Sequence, residues 1–233
     1  MRDACQAANQ LGMQIVTGHT GTYDALDEMV GTCTAYGFAS LKDIKTPRGV
    51  RAGDKILCTK PIGLETVVIF SQTQRALAER LFGKLDANRL SREFRFQSCV
   101  KEALALSKMP GVHAMHDAAE GGLVSALNEM AEASKTGFSI DFTKVAVPRE
   151  VHILARHFQL STNEIMSMSS TGTLIAALEP SAERRVLRRL SELKIPARVV
   201  GIFSGSRRRR ANDRFGERPF PDRARDPFSR ICL

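Results

Sequence analysis

Two hydrophobic periods share this chain, and the switches between them mark out its elements. Leu123, Leu127, Met130, Ala131 and Ser134 recur at helical spacing and predict a long helix with one buried stripe. Val186, Leu187, Leu190 and Leu193 predict another over 181–193, with Arg184, Arg185, Arg188 and Arg189 turned outward. Ala4, Ala7, Ala8 and Leu11 predict a helix over 2–11, stopped by Gly12. The two-residue period takes over where Phe138, Ile140 and Phe142 alternate with Ser139, Asp141 and Thr143, as in a half-buried strand. Strands are also predicted over 13–17, 29–38, 54–59, 111–115, 173–178 and, as the last of the core, 197–203. Further helices are expected over 64–82, 97–108 and 148–158, the last opened by Pro148. Ser161-x-x-Glu164 has the spacing of a capping box before a short helix. Residues 83–96 have no clear period and read as a helix–helix connection or hinge.

The order of elements defines an α/β or α+β fold. Its expected parts are a partial N-terminal domain over 1–82, a connecting helical segment over 83–109, an α/β domain over 110–204 and a basic tail over 205–233. The tail is rich in Arg and Pro and is expected on the surface or partly disordered.

Composition narrows the class. The 233 residues are 43% hydrophobic and 25% charged, as in a soluble globular protein. No apolar run approaches the roughly 18 residues of a membrane span. The N-terminus has no long apolar signal core, so a cytoplasmic location is expected. Five scattered cysteines without a C-x-x-C pair suit a reducing compartment and argue against a zinc site or a disulfide framework. Cys33 and Cys58 fall in predicted strands and read as packed apolar residues. The net charge is +9, but residues 207–233 hold nine Arg against four acids, so the body is not strongly basic. Arg207–Arg210 has no aromatic platform beside it and reads as a solvated turn, and nucleic-acid binding is not expected.

Candidate chemistry gathers at His116-Asp117-Ala118-Ala119-Glu120-Gly121-Gly122, between a strand and the long helix. Two glycines in a first helical turn free backbone N–H groups for an anion, most often phosphate. Asp117 in front could hold a divalent cation against it. Asp117-x-x-Glu120 equally has capping-box spacing, so a cap and a ligand site are both open on local pattern. His113 and His116 point to opposite faces of a strand and cannot share one metal ion. His152 and His157, five apart, read as surface or packing residues. Loops Gly18–Tyr23 and Ser169–Gly172 are weaker phosphate candidates, and the second reads first as a cap or turn. No G-x-S-x-G elbow, P-loop or G-x-G-x-x-G is present.

These motifs together resemble the aminoimidazole-ribonucleotide (AIR) synthetase superfamily. The stretch from His116 to Leu123, followed by Ala126-Leu127-Asn128-Glu129-Met130-Ala131-Glu132-Ala133-Ser134, is similar to its C-terminal domain signature. The form of that signature is most like the hydrogenase-maturation (carbamoyl dehydratase) branch. Ala52-Gly53-Asp54-Lys55-Ile56 resembles its "PGD-x-I" strand, Ser170-Thr171-Gly172-Thr173-Leu174 its "S/N-x-G-T-L" strand entry, and Val200-Gly201 its late "IG" strand. The resemblance runs in order over about 2–204. It implies a two-domain α/β fold that dimerises through N-terminal domains, with ATP between the domains and Mg²⁺ bridging its phosphates to acids. The implied chemistry is ATP activation of an amide or carbamoyl oxygen, or phosphoryl transfer. By position, Asp117 would be a catalytic, metal- or phosphate-side residue, with His116 beside it, and Gly121 and Gly122 the backbone phosphate contacts. His19 and Thr20 fall in the family's "GG-[DE]-[TS]" loop, with His19 where an acid is usual. Cys232 resembles the branch's terminal carrier cysteine, although Leu233 follows it. The first half of the family's N-terminal domain has no counterpart here. The resemblance therefore leaves two readings: an ATP-dependent enzyme, or a truncated, non-catalytic module that depends on a partner protein.

Overall fold

The structure, a computed structural model, describes residues 2–22, 24, 30–93 and 97–233. Its contacts separate the chain into two units, 1–38 and 39–233, each described by itself.

In the first unit the expected helix is present as α1 (Arg2–Gln10), with Gly12 behind it at φ +67°. The expected strands are not. Among the described residues, 14–17 and 30–38 form no strand and make no backbone hydrogen bond, and Ile15, Val16, Val30, Tyr36 and Phe38 are exposed. Alternation supplies a face, but a strand exists only through its ladder to a neighbour. Cys33 is likewise exposed and outside any strand, which corrects its reading as a packed residue. Met29 and Tyr23, the ends of the predicted strand and loop, lie outside the described residues.

The second unit is built on β1 (Lys55–Thr59), β2 (Val112–Asp117), β3 (Gly137–Asp141), β4 (Leu174–Leu178), β5 (Ala197–Ser204), β6 (Arg209–Asp213) and β7 (Gly216–Pro219). They form one mixed sheet in the order β2-β4-β1-β5-β3-β6-β7. β4 is buried at every position and β1 at four of five, as central strands covered on both faces must be. On one face Ile56, Ile175, Ala177, Phe138 and Phe203 pack with Leu123, Leu127 and Met130 of α6 (Gly122–Ser134). On the other, Leu57, Ala176 and Leu178 meet Leu106 of α5 (Val100–Ser107) and Val186 and Leu190 of α9 (Glu183–Glu192).

A third core is helical. It joins α2 (Leu64–Thr73), α3 (Arg75–Phe82), α4 (Lys84–Leu90), α7 (Arg149–His157) and α10 (Phe228–Cys232) through Phe70, Ala78, Leu90, Leu154 and Ile231. The single helix expected over 64–82 is two, broken at Gln74. The expected hinge holds α4, whose fully buried positions, Ala87 and Leu90, are too few to show a period; 94–96 lie outside the described residues.

The expectation of a surface or disordered tail is corrected most clearly, as is that of 197–203 as the last core strand. β6 adds to β3 in parallel and β7 returns beside β6, while Ala211 and Phe220 join the main core. Only Ala211 of β6 is fully buried. Its arginines are paired instead, Arg209 with Glu132 at 2.8 Å and Arg210 with Glu217 at 3.6 Å.

The Ser161–Glu164 capping box ahead of α8 (Thr162–Met166) forms as expected. Glu164 Oε2 accepts from the Ser161 N–H at 2.8 Å, and Glu164 N–H donates to Ser161 Oγ at 3.2 Å. The Ser161 N–H, with its hydroxyl and Arg230, holds the Glu164 carboxyl below its usual range. A depressed carboxylate pKa contributes stability above the unfolded value and loses it as pH falls through the folded value. Glu164→Ala should therefore cost about 1 kcal/mol near neutrality. The gap to wild type in urea midpoint should narrow below about pH 4. A gap that is constant with pH would contradict an ionised cap.

Candidate functional site

β1 and β2 both run antiparallel to β4, which lies between them, so Thr59 and Asp117 end at one rim where Leu174 begins β4. Three loops meet there: 60–63, 118–121 and 169–173. Leu174 N–H donates to Thr59 Oγ1 at 3.0 Å, and Thr173 Oγ1 donates to the Pro61 carbonyl at 3.1 Å. Gly63 N–H, at the start of α2, donates to Ser170 Oγ at 2.7 Å, and that hydroxyl donates to the Met168 carbonyl at 2.7 Å. Thr171 N–H donates to Glu65 at 2.8 Å. The 169–172 loop thus makes turn and cap contacts, the first of its two readings.

The start of α6 is the centre of this rim. Gly121 (φ +71°) and Gly122 (φ +54°) both occupy the left-handed region, where a Cβ is costly. No side chain caps the helix from Asp117 or Glu120, which corrects the capping-box reading. The helix begins at Gly122, with Gly121 as its N-cap, so Asp117 and Glu120 fall in the strand end and turn before it. Asp226, from the C-terminal segment, supplies the carboxylate instead. Its Oδ2 accepts from Gly121 N–H at 3.1 Å and Ser169 Oγ at 2.6 Å, and its Oδ1 from Phe228 N–H at 3.0 Å. Gly122 N–H donates to the Ala119 carbonyl at 3.0 Å. An anion is therefore held at this helix start, and it belongs to the chain itself.

Asp117 stands at the end of β2 with its side chain 53% exposed. His116 Nδ1 lies 2.6 Å from the Asp117 carbonyl oxygen and Nε2 3.0 Å from Glu129 Oε2, whereas His113 Nδ1 sits 2.9 Å from buried Asp54. The two histidines engage separate partners. His152 and His157 are exposed on α7. Behind Asp117 is a buried ion pair, Lys60 Nζ to Glu102 Oε1 at 2.6 Å, in which Nζ also donates to the Ser98 carbonyl at 2.7 Å. Cys99 adjoins both. Burial, then the charges of Asp117 and Glu102, push its thiol up.

Cys232 is brought to the same neighbourhood, inside the helical core. Its thiol donates to the Thr66 carbonyl at 3.6 Å, and the Thr66 hydroxyl donates to the Ser169 carbonyl at 3.3 Å. Burial first, with the Asp226 and Glu65 carboxylates, pushes this thiol up to about 12, so it is protonated at neutral pH. His19 and Thr20 are exposed in the first unit, outside any regular element.

Sequence reasoning did not single out Lys60, Glu65, Glu102 or Asp226. The Lys60-Pro61-Ile62-Gly63 run after a strong strand was the available signal for the first of these. Asp226 had none, because its partners lie 57 and 105 residues away.

Chemically, the rim offers the exposed carboxylates of Asp117 and Glu120, a buried ammonium at the end of β1, and a helix start whose anion position is filled by Asp226. Residues 51–213 match the family model "AIR synthase related protein, C-terminal domain", and the chain belongs to that family. A protein of Methanocaldococcus jannaschii named for hydrogenase expression/formation is 24% identical over 97% of this chain and 65% of its own length. A selenide, water dikinase of Aeromonas salmonicida is 25% identical over 75% of this chain and 47% of its own length. The chain thus spans less than two thirds of both curated relatives. Among solved structures, the hydrogenase maturation protein HypE in complex with ATP superposes with a TM-score of 0.67 at 21% identity, covering 97% of this chain and 68% of that one. The seven-stranded sheet with its flanking helices is the AIR synthase-like fold that the resemblance implied.

Proposed function

We propose that this chain binds ATP at the β1–β2 rim and takes part in ATP-dependent chemistry of the hydrogenase-maturation kind. That chemistry is activation of an amide or carbamoyl oxygen, or phosphoryl transfer. The observation behind the proposal is the rim itself, where Asp117 and the Gly121–Gly122 helix start stand together, with Lys60 at the end of β1 two strands away, in a chain of the AIR synthase-related family.

Asp117 fits a magnesium ion in the way such ions usually bind, through one or two carboxylates with the remaining ligands from phosphate and water. It is half exposed and faces the open side of the rim. Among the described residues no group of three or more His, Cys, Asp or Glu gathers to form a cage, which suits a metal that arrives with its nucleotide. The ion would neutralise phosphate charge. The chain's own parts orient the nucleotide: the α6 start receives a phosphate oxygen once the Asp226 carboxylate gives way, and the knitted loops keep the two glycines in place. Cys232 serves packing in this conformation, since a protonated, buried thiol is a poor nucleophile.

A second reading is a partner-dependent, non-catalytic module of the same fold. It is favoured by the exposed apolar side chains of 15–38 and by the filled position at Gly121. A thermal-shift titration with MgATP separates the two. Saturation to about a hundredfold over Kd should stabilise an ATP-binding chain by about 2.7 kcal/mol. Asp117→Ala should remove most of that gain without changing the melting temperature of the free protein. Asp226→Asn, which weakens the internal anion, should lower the free protein's melting temperature and raise apparent ATP affinity. No shift at millimolar MgATP in either the wild type or Asp226→Asn would reject the ATP-binding reading and leave the module. A lower melting temperature for Asp117→Ala without nucleotide would assign Asp117 to folding.

A further inference from the structure

The same end of the sheet carries a second recess, three strands away from Asp117. It is a cavity of about 580 Å³, entered between the Phe142–Lys144 turn after β3, α8, the start of β5 and the β6–β7 turn. That volume lies in the range of small-molecule sites. Phe142, Val145, Ile165 and Met166 give it an apolar floor, of which Phe142, Val145 and Met166 are buried.

Its ionisable lining is Arg198, Arg214, His152 and Asp213. Asp213 is already committed, accepting from Arg218 Nε at 2.9 Å and from Phe215 N–H at 2.8 Å. The side chains of Arg198 and Arg214 have no hydrogen bond or ion pair among the described residues, and the Arg214 guanidinium carbon lies 4.6 Å from the centre of the Phe215 ring. Arg198 is fixed at the sheet end by its register opposite Cys58 of β1. Two guanidinium groups without anionic partners therefore border an apolar recess. A guanidinium presents a planar fork of donors that matches a carboxylate or phosphate.

We infer that this cavity binds a small amphipathic anion, an apolar or aromatic body carrying a phosphate or carboxylate, with Arg198 and Arg214 on the charged group and the Phe142–Met166 floor under the body. This goes beyond the nucleotide reading, because the two arginines stand at β5 and the β6–β7 turn and not at the α6 start, although Met166 of the floor backs onto Gly122. At ~4.8 Å per strand, β5 lies roughly 14 Å from β2 across the sheet.

The test uses the full chain and two probes, phenyl phosphate and benzoate, followed by ligand-observed NMR. At least one probe should bind at millimolar concentration, and which of them binds tells phosphate from carboxylate. Arg198→Ala and Arg214→Ala should each weaken it by roughly tenfold, as expected for loss of a charge-assisted bond. Ala146→Phe, which fills the recess, should abolish binding, and Arg184→Ala, on the exposed face of α9, should leave it unchanged. All four variants should keep the wild-type response to MgATP, so failure here is separable from failure of the nucleotide reading. Absence of binding by both probes, equal affinity in wild type and both cavity-arginine variants, or displacement of the probe by ADP would each overturn the inference.

Discussion

Replacing Gly122 with alanine is expected to destabilise residues 39–233 by about 3 kcal/mol, the sum of a left-handed backbone cost and a steric one. At φ +54° a Cβ is disfavoured by itself. Built there, it would also overlap the Met168 carbonyl oxygen and come within 3.0 Å of that of Met166. Both obstacles are backbone, belonging to the segment that leads into the 169–173 loop, so neither can rotate away. In a unit of this size the melting temperature should fall by roughly 6–12 °C. Two comparisons isolate the cause. Gly216 has φ +111° with nothing near its would-be Cβ, so Gly216→Ala should show the backbone cost alone, about 1 kcal/mol. At Gly121 the nearest obstacle is the Ser125 hydroxyl, which can turn, with Ala224 next at 2.9 Å. Gly121→Ala should fall between the two and loosen the C-terminal segment. Equal melting temperatures for Gly122→Ala and Gly216→Ala would refute the close approach of the two loops.

Glu102→Ala should cost about 3–5 kcal/mol, because it removes one partner of a buried ion pair. The pair is almost wholly withdrawn from water, with side chains 9% and 2% exposed for Lys60 and Glu102. The Ser98 carbonyl still accepts from Nζ, so the lower half of that range is the firmer expectation. The double replacement Lys60→Met with Glu102→Leu should recover most of the loss, since apolar groups of similar volume often match a buried pair in stability. A urea-denaturation cycle over the two single variants and the double gives the coupling directly. A Glu102→Ala variant within about 0.5 kcal/mol of wild type would mean that the pair contributes little to stability.

What could be read in advance follows from how far apart the determinants lie. β4 was legible because Leu174–Leu178 is unbroken apolar sequence, and β3 because Phe138 and Ile140 alternate with polar residues. α6 and α9 declared themselves by period. β6 could not, since Arg209, Arg210, Asn212 and Asp213 surround one buried alanine, and its place comes from backbone pairing with β3 and side-chain charges matched elsewhere. The segments 13–17 and 30–38 show the converse, β-type patterning with no ladder among the described residues. At the candidate site, Asp117 and the two glycines were visible as a local motif. The ion pair of Lys60 and Glu102 and the carboxylate of Asp226 were not, because each joins positions 42 or more residues apart.

The strand order also dictates how this unit must fold. β1 is among the first elements of residues 39–233 to emerge, yet its two neighbours in the sheet are β4 and β5, so Lys55 waits for Leu178 and Ile202. At ribosomal rates of about 5–20 residues per second, that delay is on the order of ten seconds. Until then β1's apolar residues Ile56, Leu57 and Cys58 have no sheet to enter, and the nascent chain presents a bare strand edge suited to chaperones or to aggregation. Closure of the helical core comes later still, when Cys232 reaches Thr66 across 166 residues. Refolding from denaturant should accordingly be slow, in the regime of proteins dominated by distant contacts.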